Sequence, residues 1–410
     1  MRSLLDAILR KYIIHGRLTA RWPDGSTSIY AGAPGLEAGV IIRDERTVRG
    51  IVLDPALAVG EAYMDGTLVP DGCSIYELLD LLVVNREEGG QHRLLALRTR
   101  LGTAMKRLKT FNPAPRARRN VAHHYDLNGR LYSLFLDRDR QYSCAYFPRG
   151  DETLEEAQLA KKRHIAAKLK LDRPGLTVLD IGCGWGGMAM TLAQEFGATV
   201  LGITLSTEQL TEARARAEAA GLSNRVRFEL RDYRDVAERF DRIVSVGMFE
   251  HVGVPHYRQF FQTVKRCLAP DGVALLHSIG RMDGPGCTNA WLDKYIFPGG
   301  YAPAVSEVIP HIEAAGLWIT DMEILRLHYA QTLREWRRRF AANRDAISGL
   351  YDERFCRMFE FYLAGAELAF RREGQMNFQI QMAADLNAVP ITRDYMVETE
   401  RRVARAAVNA

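Results

Sequence analysis

Val178-Leu-Asp-Ile-Gly-Cys-Gly-Trp-Gly-Gly187 runs from a buried-strand pattern straight into a glycine-rich turn, and the apolar stretch 188–196 follows at helical spacing. Val178, Leu179 and Ile181 suit a strand covered on both faces. Gly182 and Gly184 let the backbone turn sharply and approach a ligand, and Gly186 with Gly187 opens the helix. Strand, Gly-x-Gly and helix in that order are the context in which such a loop cradles a nucleotide-containing cofactor. A dinucleotide fold adds a third glycine three positions after the second and an acidic residue about 20 positions on. Gly187 meets the first condition, so the glycines alone do not decide. The decision falls to Asp180, just before the turn.

Downstream, strands and helices alternate as a doubly wound parallel α/β sheet requires. The pattern predicts strands at 198–204, 226–232, 241–247 and 272–280, helices at 207–220, 256–268 and 306–315, and a helical stretch over 333–384. Ligands of such sheets collect beyond the carboxyl ends of the strands. The residues to read are therefore Thr204 and Gln209 after the second strand and Asp232 after the third. No Asp or Glu follows the second strand to hold ribose hydroxyls, and Thr204 and Gln209 are the nearby polar substitutes. Asp232 is placed to meet an adenine amino group, and the alternative for all three is that they only cap a helix or turn. The segment 291–303, with four aromatics and a Pro-Gly-Gly, reads as a lid, or as a surface loop packed on its own domain.

The 410 residues exceed the roughly 100–200 of a usual single domain, so two domains are expected. Residues 1–90 read as a small α+β domain. Leu4, Leu5, Ile8, Leu9 and Tyr12 recur at helical spacing, Leu18-x-Ala20-x-Trp22 alternates into the turn Pro23-Asp24-Gly25, strands follow at 26–30 and 39–43, and a helix at 75–84. Residues 91–122 read as a basic amphipathic linker and 123–410 as the catalytic domain. Between 89 and 125 lie nine Lys or Arg and no Asp or Glu, with Leu94, Leu97, Leu101, Met105 and Leu108 forming one stripe. Contact with an anionic membrane surface, a solvated linker and a nucleic-acid patch are the readings of that stretch. The Asn/Asp-Pro-Pro-Tyr/Phe stretch of base-directed amino-methyltransferases is absent after the fourth strand, which argues against nucleic acid. The six cysteines lack Cys-x-x-Cys spacing, so neither a zinc site nor a disulfide framework is indicated. Asp6 and Arg10 interrupt the apolar start, and no run of about 18 apolar residues occurs, which argues against a signal peptide or a membrane span and for a cytoplasmic protein.

Asp180-x-Gly182-x-Gly184 at a strand end is similar to the first motif of S-adenosylmethionine-dependent methyltransferases, in which the carboxylate lies near the cofactor's amino-acid moiety. With Tyr142-Ser-Cys-Ala-Tyr-Phe147, Ser245-Val-Gly-Met-Phe-Glu-His-Val-Gly253, Leu276-His-Ser-Ile-Gly280 and Lys294-Tyr-Ile-Phe-Pro298 in the same order, residues 120–385 resemble the cyclopropane-fatty-acyl-phospholipid synthases. The resemblance implies a class I methyltransferase sheet that transfers a methylene from S-adenosylmethionine to the cis double bond of a phospholipid acyl chain. It implies a bicarbonate base held by Cys144, Glu250, His277, Ile279 and Tyr329, and cofactor contacts from Tyr142, Ser143, Asp180, Gly182, Gly184, Thr204, Gln209 and Asp232, with no metal. It also suggests a homodimer, while the basic stretch and a substrate that stays in the bilayer point to peripheral attachment at the inner face of the membrane.

The residue types suit that chemistry. An isolated alkene is a weak nucleophile, so the methyl donor must be held in line and close. The carbocation that follows is stabilised by aromatic faces, for which Tyr142, Tyr146, Phe147 and Tyr329 are candidates, and ring closure needs a base in a dry site. Methyl- or methylene-branching of the same lipids, methylation of another amphipathic molecule, and a non-enzymatic lipid-binding protein that kept the cofactor loop are the alternatives.

Overall fold

The computed structural model describes residues 1–86, 110, 112 and 129–408. The basic stretch therefore lies almost wholly outside the described residues. The chain falls into two compact units, one from the described parts of Met1–Met105, Gly286–Pro298 and Leu333–Gly374, the other from those of Lys106–Pro285, Gly299–Thr332 and Gln375–Ala410. Each is taken by itself.

In the first unit the sheet order is β2-β1-β3-β4, from β1 (His15–Arg21), β2 (Thr27–Ala31), β3 (Ala33–Ile42) and β4 (Leu68–Asp71). The expected hairpin is β1 against β2, closed through Gly25, whose φ of +82° suits glycine. Helices Arg2–Tyr12 and Ile75–Val84 lie where the periodicity placed them, and the second starts from a Ser74–Glu77 capping box. Helices Glu45–Leu53 and Pro55–Met64 were not foreseen. The domain boundaries read from the sequence also differ: residues 286–298 and 333–374 pack with the N-terminal elements. The reason is apolar burial. Trp291 is buried against Phe361, ring centroids 4.8 Å apart, and a Cβ on Gly60 would lie 2.5 Å from the Trp291 ring nitrogen. Ala364 and Leu368 of helix Glu353–Arg372 join the core formed by Leu18, Trp22, Val40 and Leu78.

The second unit is built on a sheet which, among the described residues, has seven strands in the order β10-β11-β9-β8-β5-β6-β7. Strands β5 (Thr177–Ile181), β6 (Thr199–Thr204), β7 (Val226–Leu230), β8 (Phe240–Val246) and β9 (Leu268–Arg281) pair in parallel, as the alternation predicts. Their side chains feed two cores, Leu179, Ile181 and Ile243 on one face and Val178, Val200 and Val244 on the other. That two-sided burial explains the unbroken apolar run before the glycine loop. One expectation is overturned. The stretch 333–384 is not helical throughout: β11 (Gln375–Ala383) inserts between β9 and β10 (Trp318–Ile324), antiparallel to both. Met376, Phe378, Ile380 and Met382 alternate with polar residues, and this period-two signal, lying right behind a long helix, is what the helical reading passed over.

Candidate active site

The carboxyl ends of β5 and β8 meet where the glycine loop needs room. Gly182 (φ +82°) approaches Met248 so closely that a Cβ would lie 2.8 Å from the methionine Cβ, and Gly184 is also left-handed at +55°. Gly186, at +83°, caps helix Gly187–Phe196, whose first N–H groups carry partial positive charge. Asp180 is buried at the end of β5, and its Oδ2 has no hydrogen-bond partner among the described residues. Burial pushes its carboxyl up to about 7, against the pull of Lys161. An orphaned buried carboxyl oxygen beside a glycine-lined turn suits the amino-acid end of a sulfonium cofactor.

The flanking residues are brought together unevenly. Tyr142 stands edge-on to Tyr132 at 5.4 Å, and Tyr132 packs at 4.9 Å on Trp185 of the glycine loop. Ser143 lies against the end of β8, where a Cβ on Gly247 would be 3.8 Å from its own. Thr204 donates to Gln209 Oε1 at 2.8 Å, so this pair arrives already oriented. Asp232 is the residue least like its expectation. Its two oxygens accept from Arg234 at 2.8 and 2.7 Å, and it caps the short helix Tyr233–Asp235.

Beside this lies the second group. Glu250 follows β8, and its Oε1 accepts the Ile279 N–H at 2.6 Å while Oε2 has no partner among the described residues. Burial lifts its carboxyl to about 7, with the Ile279 N–H pulling it down. His277 lies in β9, its carbonyl accepting the Gly247 N–H at 3.0 Å. The Gln379 amide of β11 donates to its Nδ1 at 3.1 Å as the amide is assigned. Burial holds this histidine down at about 3, so at neutral pH it is uncharged, and with Nδ1 accepting, the ring proton sits on Nε2. Nε2 is buried and has no partner among the described residues. The sequence reading missed Gln379, whose strand it took for helix.

Cys144 is fully buried beside the Thr332 hydroxyl, its thiol driven far up by burial, so it is no nucleophile at neutral pH. The same hydroxyl accepts the Ala145 N–H at 3.0 Å. Tyr329 is buried one turn before Thr332 on helix His328–Ala342. Tyr146 differs from its expected role. Its ring stacks on His164 at 4.1 Å and on His328 at 4.8 Å, so imidazoles take the faces that a substrate cation would need.

A family model for mycolic acid cyclopropane synthetases matches residues 113–380. The chain belongs to the cyclopropane synthase family. It is 38% identical over 343 residues, 84% of this chain and 87% of the relative, to the cyclopropane-fatty-acyl-phospholipid synthase of Escherichia coli K12. It is 35% identical over 389 residues, 90% of this chain and 88% of the relative, to the tuberculostearic acid methyltransferase UfaA1 of Mycobacterium tuberculosis. The structure of the mycolic acid cyclopropane synthase CmaA1 complexed with SAH and CTAB matches with a TM-score of 0.62 and 35% identity, covering 67% of this chain and 99% of that one. The cyclopropane synthase MmaA2 of Mycobacterium tuberculosis gives a TM-score of 0.62 at 34% identity over the same shares. The protein is thus an S-adenosylmethionine-dependent methyltransferase by fold and family.

Proposed function

We propose that the chain methylenates the cis double bond of an unsaturated phospholipid acyl chain and closes it to a cyclopropane, with bicarbonate as the base. The observation that carries this is the pair of buried polar atoms Glu250 Oε2 and His277 Nε2, both without a partner among the described residues. S-adenosylmethionine, when bound, supplies an electrophilic methyl on a sulfonium. Gly182, Gly184 and the Gly187 helix start would hold its amino-acid part with Asp180, and Thr204 and Gln209 its ribose. Adding the methyl to the alkene leaves a carbocation, and ring closure then requires that a proton leave the new carbon. Neutral His277, a donor through Nε2, suits an anionic proton acceptor rather than being one. Glu250 near 7 is readily protonated and can donate to the same anion. Burial of both keeps competing water out.

A second reading has one contact in its favour. Ile279's N–H is already spent on Glu250 Oε1, which removes a donor from the anion and leaves Glu250 itself as the proton acceptor. The rate in carbonate-free buffer separates the two readings.

The substrate reading is tested by expressing the chain in a host without such activity and analysing its acyl chains by mass spectrometry. A gain of one CH2 with the double bond lost to ozonolysis is expected; a gained CH2 with the double bond retained marks a branching enzyme instead. Peripheral attachment to an anionic membrane and a homodimer belong to the same proposal. No helix among the described residues is long and apolar enough to cross a membrane. Sedimentation with anionic vesicles that weakens as salt shortens the screening length supports attachment, and light scattering at monomer mass would remove the dimer.

A further inference from the structure

Helix Leu154–Lys168 turns two residues, Gln158 and Lys161, one turn apart onto the segment 141–143. Gln158 Nε2 donates to the carbonyls of Gln141 and Ser143 at 3.2 and 3.0 Å. Lys161 Nζ donates to the side chains of the same two residues, Gln141 Oε1 at 2.6 Å and Ser143 Oγ at 2.9 Å. Lys161 is completely buried, and among the described residues it makes no ion pair within salt-bridge distance. The adjacent Asp139 carboxylate is engaged by Lys162, 2.5 Å away, and by Arg216. Asp137 is occupied with the backbone N–H groups of Asp139 and Gln141 at 3.1 and 2.8 Å.

A buried ammonium with only neutral contacts is costly unless its charge acts on a neighbour. Its charge reaches Asp137 and Cys144 beside it and also two groups of the site. Lys161 is the charge that pulls the buried Asp180 carboxyl down, and after burial itself it is the foremost influence holding His277 neutral. Burial lowers Lys161 to about 8, with Asp137 pulling it back up, so it remains mostly charged at neutral pH. The other titratable groups around it are Asp139, Lys162 and Cys144.

We propose that Lys161 is a positioning residue of the cofactor pocket: its ammonium pins Gln141 beside the helix start at Gly187 and Ser143 at the end of β8, and supplies the positive charge against which Asp180 works as a carboxylate. It touches neither of the groups that would move a proton. The inference rests on the reading of Asp180 and Ser143 as cofactor contacts, and it adds a residue whose place in the sequence, inside a helix rich in charges, gives no sign of the role.

Calorimetric titration of the full chain with S-adenosylhomocysteine from pH 6 to pH 9 tests it without any turnover. Wild-type affinity is expected to fall as the pH drops through about 7, where Asp180 takes up its proton. In Lys161→Met and Lys161→Gln the fall moves upward, and for a shift of one pH unit binding at pH 7 is about fivefold weaker and recovers towards pH 9. Lys161→Arg, which keeps the charge, retains the wild-type pH profile. A loss in the neutral variants that is equal at every pH reduces Lys161 to packing and overturns the proposal. So does a pH-independent affinity in the wild type, which decides the matter even if the neutral variants fail to fold. Failure of the wild type to bind S-adenosylhomocysteine at any pH rejects the cofactor reading instead.

Discussion

Around β5, β6 and β7 the polar groups mostly satisfy one another before any ligand arrives. Thr204 is bonded to Gln209, Asp232 to Arg234 and Ser143 to Lys161, while Asp180 Oδ2 has no partner among the described residues. Around β8 and β9 the opposite holds: Glu250 and His277 each carry a buried atom without a partner among the described residues, and both are driven towards their neutral forms by desolvation. The first half is shaped by backbone, through left-handed glycines of which Gly182 leaves little room for a Cβ beside Met248. The second is shaped by buried side chains, and its energetic cost is the kind that active sites carry when they tune acids and bases. Binding and proton transfer are therefore separable by mutation.

The largest expected effect lies on the second side. Glu250→Gln and His277→Ala should lower turnover by on the order of 10² or more, as for loss of a positioned acid–base system, while S-adenosylhomocysteine affinity measured by calorimetry stays within a factor of about three. Tyr329→Phe removes one hydroxyl and should lower turnover less. A parallel collapse of cofactor binding would break the separation.

Stability should move the other way in the same variant. The Glu250 carboxyl stands at about 7 in the fold against 4.5 when free, so the folded state holds the proton over a pH range in which the unfolded chain has released it. The group's favourable contribution is thus complete below about 4.5 and is lost as the pH rises through about 7. Glu250→Gln, which cannot ionise, is expected to gain up to about 3 kcal/mol relative to the wild type at pH 8 and little at pH 4.5. Denaturant melts at the two pH values check this, and a gain independent of pH would contradict it.

On the cofactor side, Gly182→Ala places a Cβ 2.8 Å from the Met248 Cβ at a φ of +82°. Strain of about 1–3 kcal/mol is expected, read as roughly tenfold or greater weakening of S-adenosylhomocysteine binding. In that variant the activity at saturating cofactor should recover more fully than in Glu250→Gln. Equal residual activities would show that the two sides are one unit.

The cofactor half was legible because its signals are local. A two-sided strand, left-handed glycines and a helix start follow one another within residues 178–196, and each constrains the backbone directly. Glu250 and His277 were reached through motif resemblance, yet their states were not legible. Whether a carboxyl stands at 4.5 or near 7 depends on packing contributed by distant segments. The same holds for Gln379, which orients His277 from β11, 102 residues further along the chain. Its strand was hidden by the helix before it. Lys161 was hidden differently: a lysine at 161 followed by Lys162 and Arg163 reads as a solvated face, and only the packed segment 141–143 buries it. The boundaries were misread for a related reason, because Trp291 and Phe361 find each other in space rather than in sequence.

The most direct test of the claim that the β8–β9 side holds an anionic base is the initial rate of methylene transfer to phospholipid vesicles in rigorously carbonate-free buffer, with and without added bicarbonate, for the wild type and Glu250→Gln side by side. The account predicts a depressed wild-type rate that bicarbonate restores, and a Glu250→Gln rate that stays low under both conditions. A wild-type rate indifferent to bicarbonate, together with full activity in Glu250→Gln, would contradict it and place the base elsewhere.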